Sequence, residues 1–289
     1  MARRRRPSGG IAALAIIVAV GGAAVVWGPG LWERYAPAPV ASSQCTVTLG
    51  DRSDTKTAEQ AGNIALIVAG SMRWGLPARA GTIGVATAIQ ESSLRNIDYG
   101  DRDSVGLFQQ RPSQGWGTFE QIMDPYYSTD KFYEGLVKVD GWQDMEVTDA
   151  AQAVQRSGFP LAYADHEEEG RLWASALTGH GGTVTCDLAD ASLANARDFI
   201  ARVDADFGEG AFALSVADVG ADTTTLLAAH TAGDTTREAA IREWAVAVAA
   251  AEGVVVASRG DEQWARTGDV PSPSAGPTDA TLITLRTAD

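Results

Sequence analysis

Residues Ala86 to Gln110 read ATAIQESSLRNIDYGDRDSVGLFQQ and join two kinds of sequence. Up to about Ser92 the segment continues an apolar pattern in which Ile83, Ala86 and Ile89 recur at helical spacing. Beyond Arg95 it turns polar and is punctuated by Gly100 and Gly106, as irregular loops are. Glu91 therefore falls at the carbonyl end of an apolar helix. Its side chain is expected to point back toward Thr87 and Ala88. Partial negative charge at that helix end and apolar neighbours both disfavour a carboxylate, so an upward pKa shift is expected. A carboxylic acid protonated near neutrality suits general-acid protonation of a leaving oxygen. By position alone, a solvated glutamate at a helix end is the plainer reading.

Upstream, Thr57 and Gln60 form a capping box ahead of Ile64, Ile67, Val68 and Met72, and Gly75 is a stop. Pro77 suits the first turn of the helix that ends near Ser92. Downstream, residues 95–117 are a Gly-punctuated loop, and Thr118 with Gln121 makes a second capping box. Helical stretches near 129–139, 149–156 and 161–177 follow, closed by Gly179, Gly181 and Gly182. Cys45 and Cys186 bracket this block. Outside a membrane the pair is expected to be oxidised, with two unpaired buried thiols as the alternative. The bridge would close a loop of about 140 residues, for which the chain-entropy model gives at most roughly 5 kcal/mol. It also requires the two ends of the block to lie within about 7 Å.

After Cys186 the pattern changes. An amphipathic helix is expected over 191–207 and a strand over 211–219. Thr235 and Glu238 cap a helix that stops at Gly253, and strands are expected at 254–256 and 281–285. At the other end, Arg3 to Arg6 precede the uncharged run Ile11 to Gly28. At about 1.5 Å per residue that run just crosses the hydrocarbon, and Trp27, Trp32 and Tyr35 lie at its distal end. The expected order is a basic cytoplasmic tail (1–10), a transmembrane signal anchor (11–30), a linker (31–56), a mainly helical domain (57–186) and a small α/β domain (187–289). A cleaved signal peptide competes with the anchor. The expected fold class is α+β, and the expected location is the cell membrane, single-pass, with the bulk outside. The helical block is expected to fold without residues 190–289.

Gln90-Glu91-Ser92-Ser93-Leu94-Arg95-Asn96, followed by Ser104-Val105-Gly106-Leu107-Phe108-Gln109, resembles the two signature blocks of the lytic transglycosylase and goose-type lysozyme group of the lysozyme superfamily. The resemblance spans roughly residues 57–180. It is closest to membrane-anchored, actinobacterial-looking cell-wall hydrolases, through the run Gly106 to Gly117, GLFQQRPSQGWG. It implies a lysozyme-like helical domain in which Glu91 protonates the glycosidic oxygen between N-acetylmuramic acid and N-acetylglucosamine, then acts as base. It implies that Ser92 helps position the acid, that Ser104 belongs to the substrate-binding block, and that Phe108 and Gln109 flank the scissile sugars. The third block of the group, Ala-Tyr-Asn-Ala-Gly, is represented only by Ala162-Tyr163-Ala164-Asp165. Tyr163 is thus the candidate to face Glu91, without the Asn and Gly that normally follow.

Trp116 suits either a sugar-stacking wall or the core. Asp98, Asp101 and Asp103 suit a second carboxylate, a Ca²⁺ site or, most plainly, turn and cap residues. His166 with Glu167, Glu168 and Glu169 reads as a solvated helix face. A net charge of −14 argues against nucleic acid as a partner. Two cysteines and three scattered histidines argue against a metal centre, and no cofactor is expected. The expected partners are peptidoglycan, the membrane through the N-terminal helix, and a cell-wall or divisome protein through residues 187–289. The competing function is a non-catalytic peptidoglycan-binding module that recruits such a partner.

Overall fold

The computed structural model describes residues 43–266 and 280–287. Strands β1 (Gln44–Leu49) and β2 (Arg52–Thr57) form a hairpin, and β3 (Thr183–Asp187) pairs with the other edge of β1. All pairs are antiparallel. Residues 44–56 of the expected linker thus lie in this hairpin. The hairpin is hard to read locally because β2 leaves Arg52, Ser53, Thr55 and Thr57 exposed, so it lacks an apolar face.

Cys45 and Cys186 are directly opposed in the β1/β3 ladder and disulfide-bonded, with Cα atoms 4.0 Å apart. The bridge staples the first strand to one that lies 141 residues later. Reduction is expected to cost about 2–4 kcal/mol. In a calorimetric scan this lowers Tm by roughly 5–15 °C. A Tm that reductant leaves in place, with both thiols shown to be free, would contradict it.

Six α-helices separate β2 from β3. They are α1 (Ala58–Arg73), α2 (Ala78–Ser92), α3 (Phe119–Met123), α4 (Pro125–Leu136), α5 (Val147–Gln155) and α6 (Glu167–Leu177). Both capping boxes are formed. Thr57 Oγ1 accepts from the Gln60 amide at 3.2 Å, and Thr118 Oγ1 accepts from the Gln121 amide at 3.2 Å. Helix α2 is the central rod and packs on α1, α5 and α6. A β-carbon at Gly170 of α6 would come 2.6 Å from the Thr82 carbonyl, so α2 and α6 approach too closely for any other residue.

The remaining elements are α7 (Ala196–Phe207), β4 (Phe212–Val219), β5 (Thr223–His230), α8 (Thr235–Ala247), α9 (Ala249–Glu252), β6 (Val254–Arg259), β7 (Glu262–Ala265) and β8 (Thr281–Arg286). The strands form one antiparallel sheet in the order β4-β5-β8-β6-β7. Strands β5 and β7 had no counterpart in the sequence reading.

The expected fold class is corrected on three points. The second sheet is antiparallel throughout, so residues 187–289 are not an α/β domain. They are not a separate domain either, since residues 41–289 form one compact unit with a continuous apolar core. And among the described residues no helix is long and apolar enough to cross a membrane. The protein is a mixed α+β body with two antiparallel sheets and, among the described residues, nine α-helices. The anchor expected over 11–30 lies outside the described residues. With no spanning helix among the described residues, the single-pass membrane location is withdrawn.

Candidate functional site

Glu91 sits in the last turn of α2, on a helix whose Ile83, Val85, Ala86 and Ala88 are fully buried. Ser93 and Leu94 then both take left-handed backbone, at φ 53° and 60°. Such conformations cost a non-glycine residue of order 1 kcal/mol or more. Here they turn Leu94 into the core, where it is fully buried and its amide returns to the Ala88 carbonyl at 3.0 Å. Gln60 and Asn63 of α1 donate to the Ser93 and Leu94 carbonyls at 2.9 and 2.8 Å. Ser92 Oγ lies 2.8 Å from the Leu107 carbonyl, to which it donates. Ser92 is buried and joins the helix end to the following loop.

The loop folds back through Gly106, at φ 80°, where a β-carbon would meet the Ile122 carbonyl at 2.8 Å. Val105 and Gln110 bridge antiparallel across the turn. Leu107 and Phe108 between them are fully buried. The Phe108 ring stacks on Phe132 at 4.6 Å between centroids. That corrects its expected place beside the sugars, because no surface of the ring is free to stack on a pyranose. Only its carbonyl looks toward the site, accepting from Gln155 Nε2 at 2.8 Å. Gln109 takes φ 47°, donates to the Tyr99 and Gly106 carbonyls, and lines a groove with the buried Ser104 and half-buried Trp116.

That groove holds about 510 Å³ and has Glu91 in its wall. A second cavity of about 650 Å³ continues from it past Trp116 to Lys138, with Gln114, Trp116, Gln155 and Arg156 lining both. Tyr163, from the short 3₁₀ turn Ala162–His166, is buried and donates its hydroxyl to Glu91 Oε1 at 2.6 Å. Burial pushes the Glu91 carboxyl above the ordinary carboxylate range, while hydrogen bonds from Tyr163 and Gln155 act in the opposite sense without cancelling it. Burial and the adjacent carboxylate raise the Tyr163 phenol, so it remains a donor. Tyr163→Phe removes a donor that favours the ionised acid. Any activity that needs protonated Glu91 should then decline at higher pH in the variant than in wild type, as read from a pH–rate profile. A decline at the same or lower pH would contradict the arrangement.

The aspartates divide by environment. Asp103 accepts from Arg111 Nε at 2.8 Å and from the Ser113 amide at 2.8 Å, contacts that hold its carboxyl well below the usual range and brace the loop. Asp98 is exposed, and Asp101 stands exposed at the groove rim. His166 is not part of a solvated face. It contacts Gln90 Oε1 at 3.2 Å and Glu169 Oε1 at 3.3 Å, and Glu169 pairs with Lys56. No cluster of metal-ligating side chains occurs among the described residues. Gln155 and Arg156 escaped the sequence reading, because nothing local marks the end of α5 as a wall for a helix end 64 residues earlier. No protein-family model matches the chain, and no curated protein matches it.

Proposed function

We propose that this protein is a glycosidase that cleaves peptidoglycan glycan strands, with Glu91 as general acid and then general base. The observation that carries the reading is Glu91 in the groove wall, an acid whose carboxyl burial pushes above the ordinary range and which one short hydrogen bond from the buried Tyr163 fixes in place. An upward shift favours the protonated acid, whose proton can pass to a leaving glycosidic oxygen. In the second half of the reaction the same carboxylate takes a proton from the attacking hydroxyl. That hydroxyl belongs to water in a muramidase, or to the same sugar in a transglycosylase. Asp101 is the other carboxylate lining the groove among the described residues. Two adjoining cavities suit an extended polymer better than a small solute.

The experiment is release of dye-labelled peptidoglycan by wild type and Glu91→Gln. Loss of release in the variant supports the enzymatic reading. Equal release from both removes it, and tight binding by both with no release favours the non-catalytic module. Mass spectrometry of the released ends separates anhydro-sugar from hydrolysed products.

A further inference from the structure

The groove is cation-rich in an acidic molecule. The chain carries a net charge of −14, yet Arg102, Arg111 and Arg156 outnumber the carboxylates Glu91 and Asp101 in one reach, and Lys138 joins Arg156 in the adjoining one. By contrast, the cavity beside α6 balances Arg52 and Arg171 against Glu167 and Glu168. Three of the four groove cations face a carboxylate. Arg111 lies 2.8 Å from Asp103, Lys138 lies 2.7 Å from Glu134, and Arg102 lies 3.9 Å from Asp101. Arg156 has no carboxylate partner among the described residues.

Arg156 also stands where the two reaches meet. It is the C-cap of α5 and takes left-handed backbone at φ 52°, a position that glycine fills at no steric cost. A long cationic side chain is carried there without an internal ion pair. A guanidinium presents paired donors that match a carboxylate edge to edge, and a walled groove strengthens that attraction. A neutral glycan makes no such use of it.

Resting on the glycosidase reading above, we infer that Arg156 receives a carboxylate carried by the strand. The substrate class is then an acid-substituted glycan, and capping its carboxylates as amides removes the recognition. Arg156 determines specificity and takes no part in bond cleavage.

The test uses the full chain and three tetrasaccharides. One alternates N-acetylglucosamine with N-acetylmuramic acid bearing free lactyl carboxylates, one is the same with the carboxylates amidated, and one is neutral chitotetraose. In the Glu91→Gln background, calorimetric Kd should favour the free acid over the amide and over chitotetraose by about tenfold, as expected for a charge-assisted pair. In Glu91→Gln/Arg156→Gln the three should bind alike, and Arg156→Lys should restore part of the preference. In the active protein, Arg156→Gln should raise KM about tenfold on the free acid and leave kcat in place. Equal affinity of Glu91→Gln for acid and amide, a preference that survives in the double variant, or no binding of either overturns the inference. A preference that depends on Arg156 in a protein that cleaves nothing would instead sink the glycosidase reading and leave this one standing.

Discussion

Glu91→Gln is expected to lower glycan-strand cleavage by about 10²–10⁴-fold, the range that a positioned general acid contributes. The amide keeps the size of the side chain, and its carbonyl can still accept from Tyr163. It has no proton to give the leaving oxygen. Substrate affinity should therefore change little while kcat falls, a split that separates chemistry from binding. The same substitution carries a stability signature of opposite sign. The folded-state pKa of Glu91 is raised, so the carboxyl favours the folded state in its protonated form. Its contribution is fully present below the unfolded value, about 4.3, and is lost as pH rises through the folded value. Glutamine does not titrate. Glu91→Gln should thus melt above wild type at pH 8, with the gap closing toward pH 4. A variant that is less active but also less stable at pH 8 would point to simple misfolding. One that matches wild type in release would remove Glu91 from the chemistry.

Removing residues 188–289 is expected to abolish cooperative folding of the rest. Helices α7 and α8 pack on α1, and α8 also packs on α6 and β3. The joints are specific. Glu243 Oε2 accepts the Val184 amide of β3 at 2.6 Å, and Glu243 in turn pairs with the buried Arg242. Trp264 Nε1 donates to the Cys186 carbonyl at 3.0 Å. Asp206, fully buried, accepts from Tyr126 at 2.7 Å, Trp244 at 2.6 Å and Arg202 at 3.0 Å, and so ties α4 to α7 and α8. Gly179 lies so near the Thr236 carbonyl that no side chain fits between them. Truncation bares the apolar side of α1, α6 and β3. Fully burying one medium-sized apolar side chain is worth about 1.5–3 kcal/mol. Baring three or four of them rivals the roughly 5–15 kcal/mol that holds a whole domain. The test is a thermal melt of residues 43–187 by circular dichroism, with the disulfide intact. A sharp transition near the full-length Tm would restore the two-domain organisation that the sequence suggested.

Signals confined to a few neighbouring residues were legible. Thr57 with Gln60 and Thr118 with Gln121 announced helix starts, and both boxes are formed. The apolar period through Ile83 and Ala86 placed Glu91 in a last helical turn. Two cysteines offered one possible pairing. The caps and the apolar period follow from the chain's own spacing and need no distant partner, whereas the pairing was legible because two cysteines leave one choice.

What escaped depends on contacts between segments far apart. The β1–β2 hairpin carries polar residues on an exposed face, takes its second edge pairing from β3, more than 120 residues later, and packs on α1 and α6. Phe108 resembles a groove residue in the linear sequence. The left-handed turns at Gly106 and Gln109 aim it instead into the core against Phe132. Residues 188–289 read as detachable because periodicity reports that a helix has an apolar face and is silent on which neighbour covers it. Local spacing set where Glu91 lies along the chain. The packing of α5 and the 3₁₀ turn around it built its surroundings, because burial and hydrogen-bond partners arise only when distant segments meet.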